Sequence, residues 1–155
     1  MLLQPMPGTP SAPGFELSDL DGGSQSLDAL AGRVLIVNFW ATWCPPCRAE
    51  IPSMQRASEL LGDDAVMIGV HVGGDADQIW TFLADMAVTF PVLIDKSGAV
   101  SRAWGTIGLP TTFVVDRQGR QVLRAIGERD WADPAILDQI RALARDDSAR
   151  EAGAK

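Results

Sequence analysis

Cys44 and Cys47 are the only two thiols in a chain of 155 residues, and they stand two residues apart in Trp43-Cys44-Pro45-Pro46-Cys47. A pair at this spacing can close a tight disulfide, supply half of a four-ligand metal site, or consist of two packed thiols. The setting favours disulfide chemistry. Val34-Leu35-Ile36-Val37-Asn38-Phe39-Trp40 is a short apolar run, rich in β-branched and aromatic residues, that reads as a buried strand and leads straight into the cysteines. Zinc would need two further ligands, none of which has suitable spacing, so no metal is expected.

A thiolate, not a thiol, attacks a disulfide, and the free N–H groups and dipole of a helix N-terminus stabilise it. Cys44 stands at such a helix start and reads as the nucleophile, with Cys47 as the resolving thiol that would displace a bound substrate. Pro45 and Pro46 carry no N–H, so two donors that would face the Cys44 sulfur are missing. The dithiol is therefore expected to be reducing, well below the strongly oxidising potentials near about −120 mV.

At about 100° per residue, Cys47, Ile51, Met54, Ser58 and Leu61 share one face of the following helix, with Glu50 on its edge. A carboxylate there is partly desolvated, which raises its pKa into a range useful for taking the proton of a buried thiol. The competing reading is a surface glutamate that merely suits the helix dipole. Trp43 is a candidate border of a substrate groove, and Trp40 reads as core. His71, the only histidine, reads as a satisfied or surface side chain rather than a ligand, and Asp95 and Asp116 as turn formers.

These residues need elements to hold them. Residues 1–13 form a Pro/Gly-rich lead, expected to be flexible or laid over the surface. Asp21-Gly22-Gly23 joins a small hairpin, and Ser26 caps a short helix that Gly32 ends. The cysteine helix contains Pro52, where a kink is expected, and stops at Gly62. A strand over 65–72, a helix from Asp75 or Asp77 to about Met86, a strand over 90–94 and a short helix over 99–104 follow. Residues 111–115 and 121–126 form a hairpin, Asp133 and Pro134 open a closing helix, and residues 146–155 read as a frayed tail. Strands alternating with helices before a terminal hairpin predict an α/β fold, a mixed sheet flanked by helices on both faces.

Composition bounds the rest. A hydrophobic fraction of 46% and a mean hydropathy of +0.07 suit one domain with a sizeable core. The net charge of −7 argues against a nucleic-acid surface and against anionic lipid. No stretch approaches the roughly 20 apolar residues of a membrane helix, and residues 1–13 lack the basic head and apolar centre of a signal peptide. Either the protein is cytoplasmic or an export segment or anchor lies outside this sequence.

The run Phe39-Trp40-Ala41-Thr42-Trp43-Cys44-Pro45-Pro46-Cys47, the helix with its internal Pro52, and Gly108-Leu109-Pro110-Thr111-Thr112-Phe113 before a hairpin together resemble thioredoxin-fold proteins. More narrowly they resemble the thiol-disulfide oxidoreductases related to TlpA, ResA and the bacterial cytochrome c maturation reductases (DsbE/CcmG-like), over roughly Gly14 to Arg145. Cys47 and Pro110 are 63 positions apart, one helix-strand unit more than a minimal thioredoxin needs, and residues 75–95 are the candidate insert typical of that group.

The resemblance implies a thioredoxin-like domain over residues 14–145. It implies a cis Leu109–Pro110 bond, with Leu109 offering its backbone to an extended substrate segment beside Trp43, Pro45 and Pro46. It also gives Glu50 a counterpart glutamate, while Asn38 occupies the place of the thioredoxin aspartate and cannot act as a base. The function implied is reduction of disulfides in client proteins, such as apocytochrome c or a metal-site assembly protein. The Cys44–Cys47 disulfide is the sole redox centre, without a separate cofactor. An upstream electron donor, such as a membrane thiol reductase, would recharge a monomer in the periplasm or anchored facing it. A cytoplasmic thioredoxin-like reductase and a copper-handling or binding module without turnover are the alternatives.

Overall fold

The structure is a computed structural model that describes residues 2–153, with side chains as far as Arg145. The chain opens with a two-residue strand, β1 (Gln4–Pro5), and a hairpin of β2 (Glu16–Asp19) and β3 (Ser24–Ser26). The hairpin turn closes because the Asp19 carboxylate accepts the N–H groups of Asp21 and Gly23, both at 2.9 Å, around Gly22 at φ +89°. Next come β4 (Leu35–Trp40), α1 (Pro45–Leu61), β5 (Val66–Val72), α2 (Ala76–Leu83), β6 (Val92–Asp95) and α3 (Ala99–Ala103). A hairpin of β7 (Thr111–Val115) and β8 (Gln121–Ile126) precedes α4 (Pro134–Gly153).

All eight strands join one mixed sheet in the order β1-β8-β7-β4-β5-β6-β2-β3. β4, β5 and β6 run parallel, and β7 lies antiparallel to β4 on its other side. Every residue of β4 is buried, as expected of a strand covered on both faces. Its alternate residues serve two cores. Ile36 and Trp40 pack with Ile51, Met54, Ile79, Trp131 and Ile140 beneath α1, α2 and α4. Leu35, Val37 and Phe39 pack with Ile68, Leu93, Trp104 and Phe113 on the α3 side. The expected arrangement of helices on both faces is thus observed, three on one and the shortest on the other.

The segment 75–95 contains α2 and β6. Asp75 caps α2 by accepting the Gln78 N–H at 2.9 Å, and β6 extends the sheet so that the β2–β3 hairpin has an edge to pair with. α1 runs unbroken through Pro52, whose ring is solvent-exposed, and its buried face is completed by Ala57 rather than the half-buried Ser58.

The lead is laid along the sheet edge, one of the two arrangements expected: Gln4 and Pro5 pair with Arg124 and Leu123, Ser11 bridges to Arg120, and Gln121 N–H donates to Pro10 O at 2.8 Å. Leu3 is only 3% exposed, and its N–H donates to Gln139 Oε1 at 3.0 Å. A Pro/Gly-rich composition did not reveal that β8 leaves an edge to be covered and that Leu3 has a place in the core. At the other end, the backbone of α4 continues to Gly153 through the stretch read as a frayed tail, and residues 154 and 155 lie outside the described residues.

Asp95 and Asp116 do sit at turns, but both are buried. Asp95 accepts the N–H groups of Val100 and Ser101 at the start of α3, and Asp116 accepts those of Gln118 and Arg120 while pairing with the Arg120 guanidinium.

Candidate active site

The cysteines lie where β4 hands over to α1. Cys44 is the N-cap of α1, in extended conformation, and Pro45 and Pro46 fill the first two helical positions. With no N–H on either proline, the Cys44 sulfur receives its hydrogen bond from the Cys47 N–H, at 3.4 Å. The two sulfurs are joined as a disulfide, Cα to Cα 5.3 Å. Cys44 keeps 5% of its surface exposed and Cys47 none, so an incoming group meets Cys44 first.

Trp43 stands out from the surface with 69% exposed, while Trp40 is buried as expected. The Leu109–Pro110 bond is cis. Thr111, the next residue, pairs with Phe39, which puts Pro110 beside the end of β4 that leads to Cys44. Leu109 packs against the core cluster that contains both cysteines. The start of β7, with Leu109 and Pro110, therefore lies beside the end of β4 from which the Trp43–Cys47 loop departs. A concavity of about 430 Å³ lined by Arg33, Asp63, Arg117 and Arg145 lies at the far end of β4, remote from this surface.

Glu50 follows Cys47 by three residues on α1, so the two side chains are neighbours along one face. Glu50 is 2% exposed, far more buried than the edge position expected from helical angles. Its Oε1 accepts from Asn38 Nδ2 at 2.6 Å; its Oε2 accepts from the Arg129 N–H at 3.1 Å and the Trp131 indole N–H at 3.0 Å. All three donors are neutral. The Arg129 guanidinium turns away and donates to the carbonyls of Ile126, Gly127 and Glu128. Burial therefore outweighs the hydrogen bonds, and with Glu128 adding repulsion the Glu50 pKa rises from 4.5 to about 6.

Asn38 is no base, but it holds the carboxylate and is itself fixed by donating to Thr112 Oγ1 at 2.8 Å. Trp131 and Arg129 were missed in the sequence. They follow β8 and precede α4, and only the packing of α4 against α1 brings them to Glu50; no local pattern signalled it. His71 is satisfied, as expected, yet it is buried against the loop before Cys44 rather than at the surface. Among the described residues, no group of three or more His, Cys, Asp or Glu side chains could hold a metal ion.

A mixed sheet with parallel β4 and β5, an N-cap disulfide on the following helix and a cis proline opening the neighbouring antiparallel strand define a thioredoxin-like protein. The chain belongs to the AhpC/TSA family, whose sequence model matches residues 9–124. It is 37% identical over 111 residues to the thiol-disulfide oxidoreductase ResA of Geobacillus thermodenitrificans, a match covering 71% of this chain and 64% of that one. The chain thus spans slightly under two thirds of that relative's length. Its fold superimposes on a putative thiol:disulfide interchange protein DsbE from Chlorobium tepidum with a TM-score of 0.81 and 31% identity, over 88% of this chain and 96% of that one. A secreted thiol-disulfide isomerase from Corynebacterium glutamicum gives a TM-score of 0.77 at 25% identity, over 86% of this chain and 85% of that one.

Proposed function

We propose that this chain is a thiol-disulfide oxidoreductase that reduces disulfides of client proteins. The observation that carries the reading is an N-cap disulfide with one sulfur reachable, one sealed, and a buried carboxylate of raised pKa one turn behind the sealed one. In the dithiol form, the Cys44 thiolate attacks a client disulfide, and one client sulfur leaves as a thiolate that takes up a proton. Cys47, its proton passed to Glu50, then attacks the Cys44 sulfur and expels the second client thiolate. The client gains two electrons and the Cys44–Cys47 disulfide forms.

Trp43, Pro45, Pro46, Leu109 and Pro110 border the client segment, with the Leu109 backbone offered to an extended strand. The clients in this reading are of the apocytochrome c or metal-site assembly type, and an upstream thiol reductase restores the dithiol; the likeness to ResA and DsbE supports disulfide-bearing clients. The same likeness, with that to a secreted isomerase, supports a site of action outside the cytoplasm. Residues 14–145 form the thioredoxin-like unit, with 75–95 as its insert.

The test is reduction of insulin by the dithiol protein, alongside its Cys44→Ser and Cys47→Ser variants and a metal analysis. Turnover that both substitutions abolish, with a mixed disulfide trapped on Cys44 in Cys47→Ser, is expected. Bound copper without any disulfide exchange would overturn the reading.

A further inference from the structure

We infer that His71 is a positioning residue for the Cys44 nucleophile, its neutral ring tying the loop that carries Cys44 to the turn between β5 and α2. The inference rests on the dithiol chemistry proposed above and adds to it a residue outside the disulfide and the Glu50 pocket. His71 lies near the end of β5, in register with Trp40 at the end of β4, and is 1% exposed. Its Nε2 lies 3.0 Å from the Thr42 N and its Nδ1 2.7 Å from the Gly73 O.

Those two partners fix the ring's protonation. A backbone N–H can only donate, so Nε2 carries no hydrogen; a carbonyl can only accept, so Nδ1 carries one. An imidazolium would set Nε2–H against Thr42 N–H. Burial lowers the His71 pKa from 6.5, in keeping with a neutral ring. The Trp40 ring holds the imidazole edge-on at 4.9 Å, and the Thr42 hydroxyl accepts from Gln78 Nε2 at 3.3 Å. The N–H and the hydroxyl of Thr42 are thus both held from the β5–α2 side. Gly74, at φ +76°, leaves room for the ring; a Cβ there would stand 2.9 Å from His71 Cε1.

What is held matters because Cys44 has so little else. Thr42 belongs to the turn closed by Cys44 N–H donating to Ala41 O at 3.2 Å, and that turn sets where the Cys44 sulfur meets α1. Pro45 and Pro46 give no donor, so the thiolate depends on the Cys47 N–H and on the helix dipole, both of which weaken steeply with displacement.

The test compares His71→Leu, which removes the acceptor, with His71→Gln, whose amide oxygen can take the place of Nε2. Both are reduced, and Cys44 is titrated by its ultraviolet thiolate absorbance and by its rate of alkylation with iodoacetamide. His71→Leu is expected to raise the Cys44 pKa by about half a unit and to slow alkylation near neutral pH about threefold, with Gln restoring both. An unchanged Cys44 pKa in His71→Leu, or Leu and Gln shifting it equally, would overturn the inference. Should the variants not fold, nitrogen NMR of the wild-type ring decides: the Nδ1-protonated neutral tautomer is expected, and an Nε2-protonated ring overturns the inference. Iodoacetamide needs no client, so failure to reduce insulin would count against the proposed function and leave this test standing.

Discussion

Glu50 combines deep burial with three neutral donors, and that combination has two measurable consequences. Its pKa is 4.5 as an ordinary glutamate and about 6 in the fold, so folding favours the protonated form. The associated stability is fully present below about pH 4.5 and is lost as pH rises through about 6, a change of about 2 kcal/mol. Urea unfolding of wild type against Glu50→Gln across this window should show the difference between them changing by that amount; parallel curves would mean that Glu50 does not titrate as described.

The second consequence concerns Trp131. Removing its indole N–H with Trp131→Phe withdraws a donor that stabilises the ionised carboxylate, so the Glu50 pKa rises further. The pH limb of mixed-disulfide release should move alkaline by about one unit, and it should vanish in Glu50→Gln. A limb that stays put in Trp131→Phe would show that the indole does not tune the carboxylate.

At the scale of elements, α1 decides how the thiolate is stabilised. A helix start ordinarily offers N–H groups to its cap, and here the first two positions are proline. Pro46→Ala restores an N–H at the second position. The Cys44 pKa should then fall by about half a unit, and because the dithiol form is stabilised the protein should become less reducing in equilibrium with glutathione. An unchanged equilibrium would mean that the second position does not face the sulfur. The order of elements was legible in the sequence because each carried its own signal: the β-branched run of β4, the Asp75 cap of α2, the Asp116–Gly119 turn, and Pro134 after Asp133. The burial of Glu50 was only half legible, since the helical angle gives a face but not the depth of what packs on it.

Across the whole molecule, the sheet gains its outer strands from segments that look weak alone. β6 is what the β2–β3 hairpin pairs with, and β8 is what the lead covers. Leu3 anchors that lead in the core, so Leu3→Ala should lower unfolding stability by about 2 kcal/mol in a denaturant melt, whereas a loosely attached lead would leave the midpoint unchanged.

The sequence by itself determined the spacing of Cys44 and Cys47, the prolines that withhold donors, and the strand-helix order that puts a thiol at a helix start, because all of these follow from residues close together in the chain. The resemblance carried by the motif around Pro110 added the cis bond. Only the tertiary structure decided that Asn38, Arg129 and Trp131 meet at Glu50, 12 to 81 positions away along the chain, and that His71 reaches Thr42 across 29. Those contacts depend on sheet register and on how α4 docks against α1, which no local periodicity encodes.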